Sequence, residues 1–193
     1  MKGVILCGGE GTRLKPCTNV TNKQLLPIYD RPMIMYPIKT LIDAGITDIL
    51  LILGRNNCGD LMKLIKNGEE LGATSILYAY QEKSNGIADA MKLAKQFINN
   101  GKFCMILGDN ILFDNLSYHV NIYKSMSCGK SVVFLTEHDH PESFGVADMS
   151  NNIIIKITEK PTHPTSNLIV TGVYFFDNHV FDPLLVLRGL VLY

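Results

Sequence analysis

The run Gly3-Val4-Ile5-Leu6-Cys7-Gly8-Gly9-Glu10-Gly11-Thr12-Arg13-Leu14 decides how the rest of the chain is read. Gly3–Cys7 is a short, β-branched, apolar stretch of the kind that forms a strand covered on both faces. It runs directly into Gly8, Gly9 and Gly11. Glycines let the backbone turn sharply and bring its N–H groups against an anion with no Cβ in the way. The Walker A loop needs Lys-Ser or Lys-Thr after its last glycine, and here Thr12-Arg13 follows. The dinucleotide G-x-G-x-x-G loop needs a third glycine where Leu14 stands. A glycine turn after a strand is also a common structural device, so its meaning depends on what surrounds it.

Outward from this loop, strands and amphipathic segments alternate. Strands are expected at Gly3–Cys7, Asp48–Leu53, Thr74–Tyr80, Phe103–Leu107 and Ser131–Thr136. Helices are expected between them at Met33–Ala44, Asp60–Leu71, Ile87–Ile98 and Ser117–Met126. In the third helix Ile87, Ala90, Met91, Ala94, Phe97 and Ile98 make one apolar face. Gly45 and Gly72 fall just past helix ends, as C-terminal caps do. This alternation implies an α/β fold with a mostly parallel sheet flanked by helices. After Thr136 the rhythm changes to short strands at Gly145–Asp148, Ile153–Thr158 and Leu168–Phe176, read as an antiparallel or mixed extension of the sheet.

The chain has 193 residues, 47% apolar and 19% charged, with formal net charge +0. One domain with a sizeable core fits these values. The absence of a basic excess argues against a nucleic-acid partner. No stretch approaches the ~20 apolar residues of a membrane span, so no membrane partner is expected. Cys7, Cys17, Cys58, Cys104 and Cys128 form no C-x-x-C pair, which fits neither a zinc site nor a disulfide framework, and a reducing cytoplasm is expected. The five histidines have no partner pattern and are read as surface residues.

Two cations stand near the glycine loop. Arg13 follows it, and Lys23-Gln24 comes ten residues later in a polar loop running into Leu25-Leu26-Pro27. Fixed cations beside a glycine cradle suit a polyphosphate, whose charge must be neutralised before an anionic nucleophile approaches. Asp109 ends a very apolar strand, where α/β folds place ligand-binding groups.

The whole run GVILCGGEGTRLKPCTNVTNKQLLPIYDRPMIMYPI, residues 3–38, closely resembles the glucose-1-phosphate thymidylyltransferases. It follows their GGxGTRLxP loop and KQLLPxYDKPMIxYP segment, with Arg31 for the usual lysine. Lys23-Gln24 points to the thymidylyl branch. The resemblance implies a Rossmann-like nucleotidyltransferase core with a mixed, mostly parallel sheet. It also implies the transfer of a thymidylyl group from dTTP to α-D-glucose-1-phosphate with Mg²⁺, giving dTDP-glucose for deoxysugar synthesis. Full-length relatives form homo-oligomers.

By the same resemblance, Leu6, Gly8, Gly9, Gly11, Thr12, Arg13, Lys23 and Gln24 meet the nucleotide, Gln81 and Gly86 read the base, and Asp109 holds the metal. Asn110, Phe144, Gly145, Glu159, Lys160, Val170 and Thr171 border the sugar, with Phe144 replacing a tyrosine. Arg13, Lys23, Asp109 and Lys160 form the implied catalytic set. The match covers roughly residues 1–182. Beyond Asp182 the family carries a segment like RGELEITDVN with a second metal aspartate, whereas this chain reads PLLVLRGLVLY. The expectation is therefore a nucleotidyltransferase domain at 1–182, incomplete at its C-terminus through a frameshift or truncation, and a divergent apolar tail at 183–193. A related uridylyltransferase and a nucleotide-binding remnant with little activity are the alternatives.

Overall fold

The computed structural model describes residues 1–9, 11–54, 58–82, 86–182 and 190–192. In chain order the elements begin with β1 (Lys2–Cys7), the two-stranded ribbon β2 (Pro27–Ile28) and β3 (Arg31–Pro32), α1 (Met35–Asp43) and β4 (Asp48–Leu53). Next come α2 (Cys58–Ile65), β5 (Ser75–Tyr80), α3 (Ile87–Ile98), β6 (Phe103–Leu107) and α4 (Ser117–Ser125). The last group is β7 (Ser131–Glu137), β8 (Gly145–Ser150), β9 (Ile153–Glu159), β10 (Leu168–Phe176) and β11 (Leu190–Leu192). Of the expected tail, residues 183–189 and 193 lie outside the described residues.

The main sheet has the order β5-β4-β1-β6-β10-β7-β11-β9-β8. β5, β4, β1 and β6 are mutually parallel. β10 is inserted antiparallel between β6 and β7, so the sheet is mixed and mostly parallel. Alternate side chains of β1 divide between two cores. Ile5 and Cys7 pack with α1, α2 and α4, through residues such as Leu41, Leu61 and Val120. Val4 and Leu6 pack on the other face against Ala90, Met91, Ala94 and Ile98 of α3. A third, smaller core of Val133, Ala147 and Ile154 joins β7 to the β8–β9 hairpin.

Helix ends depart from the periodic reading where backbone bonds are satisfied otherwise. α1 begins at Met35 rather than Met33, because the Met33 and Ile34 N–H groups donate to Leu26 O and Gln24 O, each at 3.0 Å. Its far end is a Schellman turn: Gly45 N–H donates to Ile42 O and Ile46 N–H to Leu41 O, both at 2.9 Å, with Leu41 and Ile46 fully buried together. α2 stops at Ile65, well before the expected Leu71. Lys66 and Gly68 take φ of 54° and 83°, and a Cβ at Gly68 would lie 3.0 Å from Ala73 Cβ. The hydrophobic period continues past this turn, but the backbone does not.

α4 ends on Lys102, whose Nζ donates to the carbonyls of Tyr123, Lys124 and Met126 at 2.8, 3.1 and 2.5 Å. A cation on the last carbonyls of a helix satisfies orphan acceptors and opposes the dipole. Lys102→Met is expected to destabilise the fold by about 1–2 kcal/mol. Urea denaturation should show a lower midpoint at unchanged slope; an unmoved midpoint would remove this cap from the account.

Candidate functional site

The glycine loop leaves β1, an interior strand of the sheet, beside the carboxyl end of β6. Strand order reverses there: β4 and β5 lie to one side of β1 and β6 to the other. This is the crevice in which α/β sheets bind ligands. Gly11 takes φ 62° and opens a short 3₁₀ turn, Thr12–Leu14. A Cβ there would lie 2.8 Å from Thr18 Cγ2 and 3.1 Å from Lys23 Cβ. Gly8 is pressed against Gly54, where a Cβ would come within 2.9 Å of Gly8 Cα. A second 3₁₀ turn, Lys23–Leu25, is capped by Asn22, whose side chain accepts from Gln24 N–H at 2.9 Å.

These segments wall a cavity of about 270 Å³ lined by Leu6, Gly8, Gly9, Gly11, Lys23, Gln24, Gln81, Gly86, Ile87, Ala90, Leu107 and Asp109. Its two glutamines are dry. Gln24 is 3% exposed and Gln81 6% exposed. Gln24 Oε1 and Gln81 Nε2 are buried with no hydrogen-bond partner. An orphaned acceptor and an orphaned donor, each costing roughly 1–3 kcal/mol, thus belong to two residues that line one cavity. Groups of this kind call for a ligand or water. Gln81 is fixed by its own N–H, which donates to Leu53 O at 2.8 Å. Across the cavity Lys23 Nζ lies 2.5 Å from Asp109 Oδ2.

A second group of residues adjoins Asp109. Asn110 Oδ1 accepts from Gly172 N–H at 3.0 Å, and Asn110 Nδ2 approaches Asp109 Oδ1 at 3.4 Å. Gly172 lies in the irregular part of β10 between Val170 and Tyr174. Thr171 Oγ1 turns away to donate to Phe134 O at 2.9 Å. Gly145 pairs with Glu159 across the β8–β9 hairpin. A Cβ on Gly145 would lie 3.3 Å from Glu159 Oε2 and 3.7 Å from Val170 Cβ. Lys160 has φ 44°, its N–H donates to Phe144 O at 2.9 Å, and its Nζ lies 3.7 Å from Glu159 Oε1. Phe144 packs on His138, with ring centroids 4.7 Å apart. Burial, with Glu159 adding to it, pushes the Tyr174 hydroxyl pKa upward.

Thr12 and Arg13 are exposed and stand outside the cavity lining. The turn after Gly11 carries them outward. Thr171 directs its hydroxyl at the β7 backbone. The histidines divide: His163 is exposed, while His119 and His179 are half-buried. His119 stacks edge-on to Phe134 at 5.3 Å, and His179 Nδ1 lies 3.1 Å from Asp177 Oδ1. His119, half-buried against Phe134, departs from the surface reading, because an isolated histidine carries no burial signal in sequence, whereas the His179 side chain is 41% exposed in keeping with it. Ala90 and Leu107 line the cavity although the periodic reading treated them as core; a small residue in the first turn of α3 was the available signal. Cys7 lies beneath the site, its thiol pKa pushed up by burial and then by Asp109 and Cys58.

A larger depression of about 440 Å³ involves Tyr29, Asp30, Arg31, Lys39, Asp43 and Phe113. Arg31 pairs there with Asp30 at 2.5 Å and Lys39 with Asp43 at 2.8 Å. The smaller cavity, with its orphaned buried amides, is therefore the candidate site.

A nine-stranded α/β sheet with a glycine-walled cleft at its strand ends defines the class. The chain belongs to the family described as nucleotidyl transferase, whose profile matches residues 2–188. It is 40% identical over 183 residues to a glucose-1-phosphate thymidylyltransferase of Neisseria meningitidis, covering 94% of this chain and 63% of that protein. The corresponding Mycobacterium tuberculosis protein is 38% identical over 192 residues, with 98% and 65% covered. The chain thus spans less than two thirds of the length of these relatives. A Bacillus anthracis structure titled as a glucose-1-phosphate thymidylyltransferase in complex with a sucrose matches at TM-score 0.91 and 42% identity, covering 98% of this chain and 76% of that one. A UDP-glucose pyrophosphorylase solved with UDP-glucose matches at TM-score 0.77 and 25% identity, covering 94% and 77%.

Proposed function

We propose that this chain forms the nucleotide- and sugar-phosphate-binding part of an enzyme that makes dTDP-glucose and pyrophosphate from dTTP and α-D-glucose-1-phosphate. The observation that carries the reading is one cavity lined by Gln24, Gln81, Lys23 and Asp109, with Gln24 Oε1 and Gln81 Nε2 buried and without a hydrogen-bond partner. A pyrimidine imide edge has one N–H donor between two carbonyl acceptors, and primary amides complement it. The apolar lining of Leu6, Ile87, Ala90 and Leu107 suits the flat base and its methyl group. Relatives named glucose-1-phosphate thymidylyltransferase support the choice of nucleotide and sugar.

In this reading the amides of Gly8, Gly9, Gly11 and Thr12 meet the triphosphate, Lys23 neutralises it from within, and Arg13 reaches it from the outer lip. Gly145, Glu159 and Val170 hold the sugar with Phe144, Asn110 and Thr171 behind them, and Lys160 meets its phosphate. A sugar-phosphate oxygen attacks the α-phosphorus in line. One O–P bond forms, the α–β bridging O–P bond breaks, and pyrophosphate leaves with that electron pair. The protein's contribution is position and charge.

Asp109 offers one carboxylate, and among the described residues no group of three or more His, Cys, Asp or Glu could hold a metal. A single carboxylate beside a phosphate chain suits Mg²⁺, which usually binds through one or two carboxylates plus phosphates. When bound, the ion supplies positive charge to the phosphates. The free cysteines agree with a cytoplasmic setting, and homo-oligomer formation is proposed by analogy with the longer relatives. A second reading, nucleotide binding without turnover, is favoured by Asp109 being, among the described residues, the one acidic side chain on the cavity wall.

Pyrophosphate release from dTTP, glucose-1-phosphate and Mg²⁺ separates these readings, and faster release with UTP than with dTTP would refute the thymidylyl assignment. Gln81→Met tests the base contact. Calorimetry should show dTTP affinity about tenfold lower, while the melting temperature stays level or rises because an unsatisfied buried amide is gone. Unchanged affinity removes Gln81 from the site.

A further inference from the structure

Lys23 stands between two places for negative charge, of which one is a protein group. Its ammonium lies 2.5 Å from Asp109 Oδ2. Its stem passes under Gly11, where a Cβ would sit 3.1 Å from Lys23 Cβ and 3.5 Å from Lys23 Cδ. The side chain thus runs from the glycine turn to the carboxylate. A lysine ammonium is a point charge on a flexible stem, so rotation can carry it from one end to the other. The side chains of Lys23 and Asp109 are 24% and 33% exposed, so parting them strands neither charge in a dry interior. Asp109 is held from its other side by the Asn110 amide, itself tied to Gly172 N–H at 3.0 Å. The carboxylate is anchored and the ammonium is the movable partner.

We propose that Lys23 is a shared counter-ion that sits on Asp109 until a polyphosphate enters the cleft and then moves to the phosphates. The inference deepens the nucleotide-binding reading above and rests on it. It makes Asp109 an opponent of nucleotide binding when no divalent cation is present, because the carboxylate retains the ammonium that the phosphates need. Removing that carboxylate therefore strengthens cation-free binding, and it does so through Lys23.

Calorimetric titration of dTTP into the full chain in EDTA reads this directly, using the unaltered protein, D109N, K23Q and the D109N/K23Q pair. D109N is expected to bind dTTP about fivefold tighter than the unaltered protein, the scale of one partly exposed ion pair. The same change made in K23Q is expected to shift affinity by less than about twofold. Binding by D109N that is unchanged or weaker overturns the proposal. So does an equal gain in the K23Q background, which would mean plain repulsion by the carboxylate. Circular dichroism checks folding, and K23R, which keeps the cation, replaces K23Q as the background should K23Q unfold; there D109N is expected to give its gain again, and loss of that gain overturns the proposal. Pyrophosphate run through the same proteins separates the two readings. If dTTP fails to bind with or without Mg²⁺ while pyrophosphate shows the D109N gain, the thymidine reading falls and the shared counter-ion stands. If pyrophosphate shows no gain, the shared counter-ion falls.

Discussion

Gly11→Val is expected to weaken dTTP binding about hundredfold while leaving most of the fold's stability in place. The position has φ 62°, a conformation that costs an L-residue roughly 1–2 kcal/mol. Space is the second obstacle, since a Cβ would meet Thr18 Cγ2 at 2.8 Å and Lys23 Cβ at 3.1 Å. Thr18 also ties the turn by donating its hydroxyl to Gly11 O at 2.9 Å. The loop must therefore move, and it takes with it the adjacent amides and the base of Lys23. Loss of two charge-assisted hydrogen bonds, each about 1.5 kcal/mol, amounts to the stated hundredfold. The loop sits at the rim of the core, so the melting temperature should fall by only a few degrees. Calorimetry with dTTP beside a thermal melt gives both values. Full affinity in a folded Gly11→Val protein would falsify the phosphate role of this loop.

Phe175→Ala is expected to cost about 3–5 kcal/mol, the largest stability loss of any single change considered. Phe175 is 0% exposed. Its ring lies 5.0 Å from that of Phe134 and 5.4 Å from that of Tyr123. Its backbone pairs with Cys104 of β6 on one side and Val132 of β7 on the other. Truncation opens a void at the seam where the parallel half of the sheet meets the mixed half, and surrounding strands cannot collapse into it without breaking ladder bonds. Set against a total stability of roughly 5–15 kcal/mol, that loss removes about a fifth of it at the least and nearly all of it at the most. Phe175→Leu should cost less, about 1–1.5 kcal/mol. Urea titration of the three proteins decides it; a cost below 1 kcal/mol for the alanine variant would show that β10 is not the seam.

The parallel half of the fold was legible because each part is local. β4, α3 and β6 have the expected bounds, set by apolar period and by glycines at the ends. The Gly45 cap also follows from neighbours in sequence. The early end of α2 was not legible, because the turn at Lys66–Gly68 is held by contacts with Ala73 and by Ile76 N–H donating to Asn67 O at 3.0 Å. An extension of the sheet after Thr136 was expected as antiparallel or mixed. Its position was not: β10 inserts between β6 and β7 rather than joining an edge. Residues 190–192, which showed no amphipathic order, pair with both β7 and β9. A strand pattern says that a segment will pair, never with which partner.

The candidate site divides in the same way. Sequence by itself determined the glycine loop after β1, the carboxylate after β6 and the family to which both belong, since these are short patterns carried on consecutive residues. Only the tertiary structure decided that Lys23 meets Asp109 across 86 positions of chain, that Gln24 and Gln81 line one cavity, and that Arg13 is exposed and stands outside its lining. Local backbone preference acts over a few residues. Which side chains share a cleft depends on strand order and close packing across the whole sheet, and neither leaves a trace in any single segment.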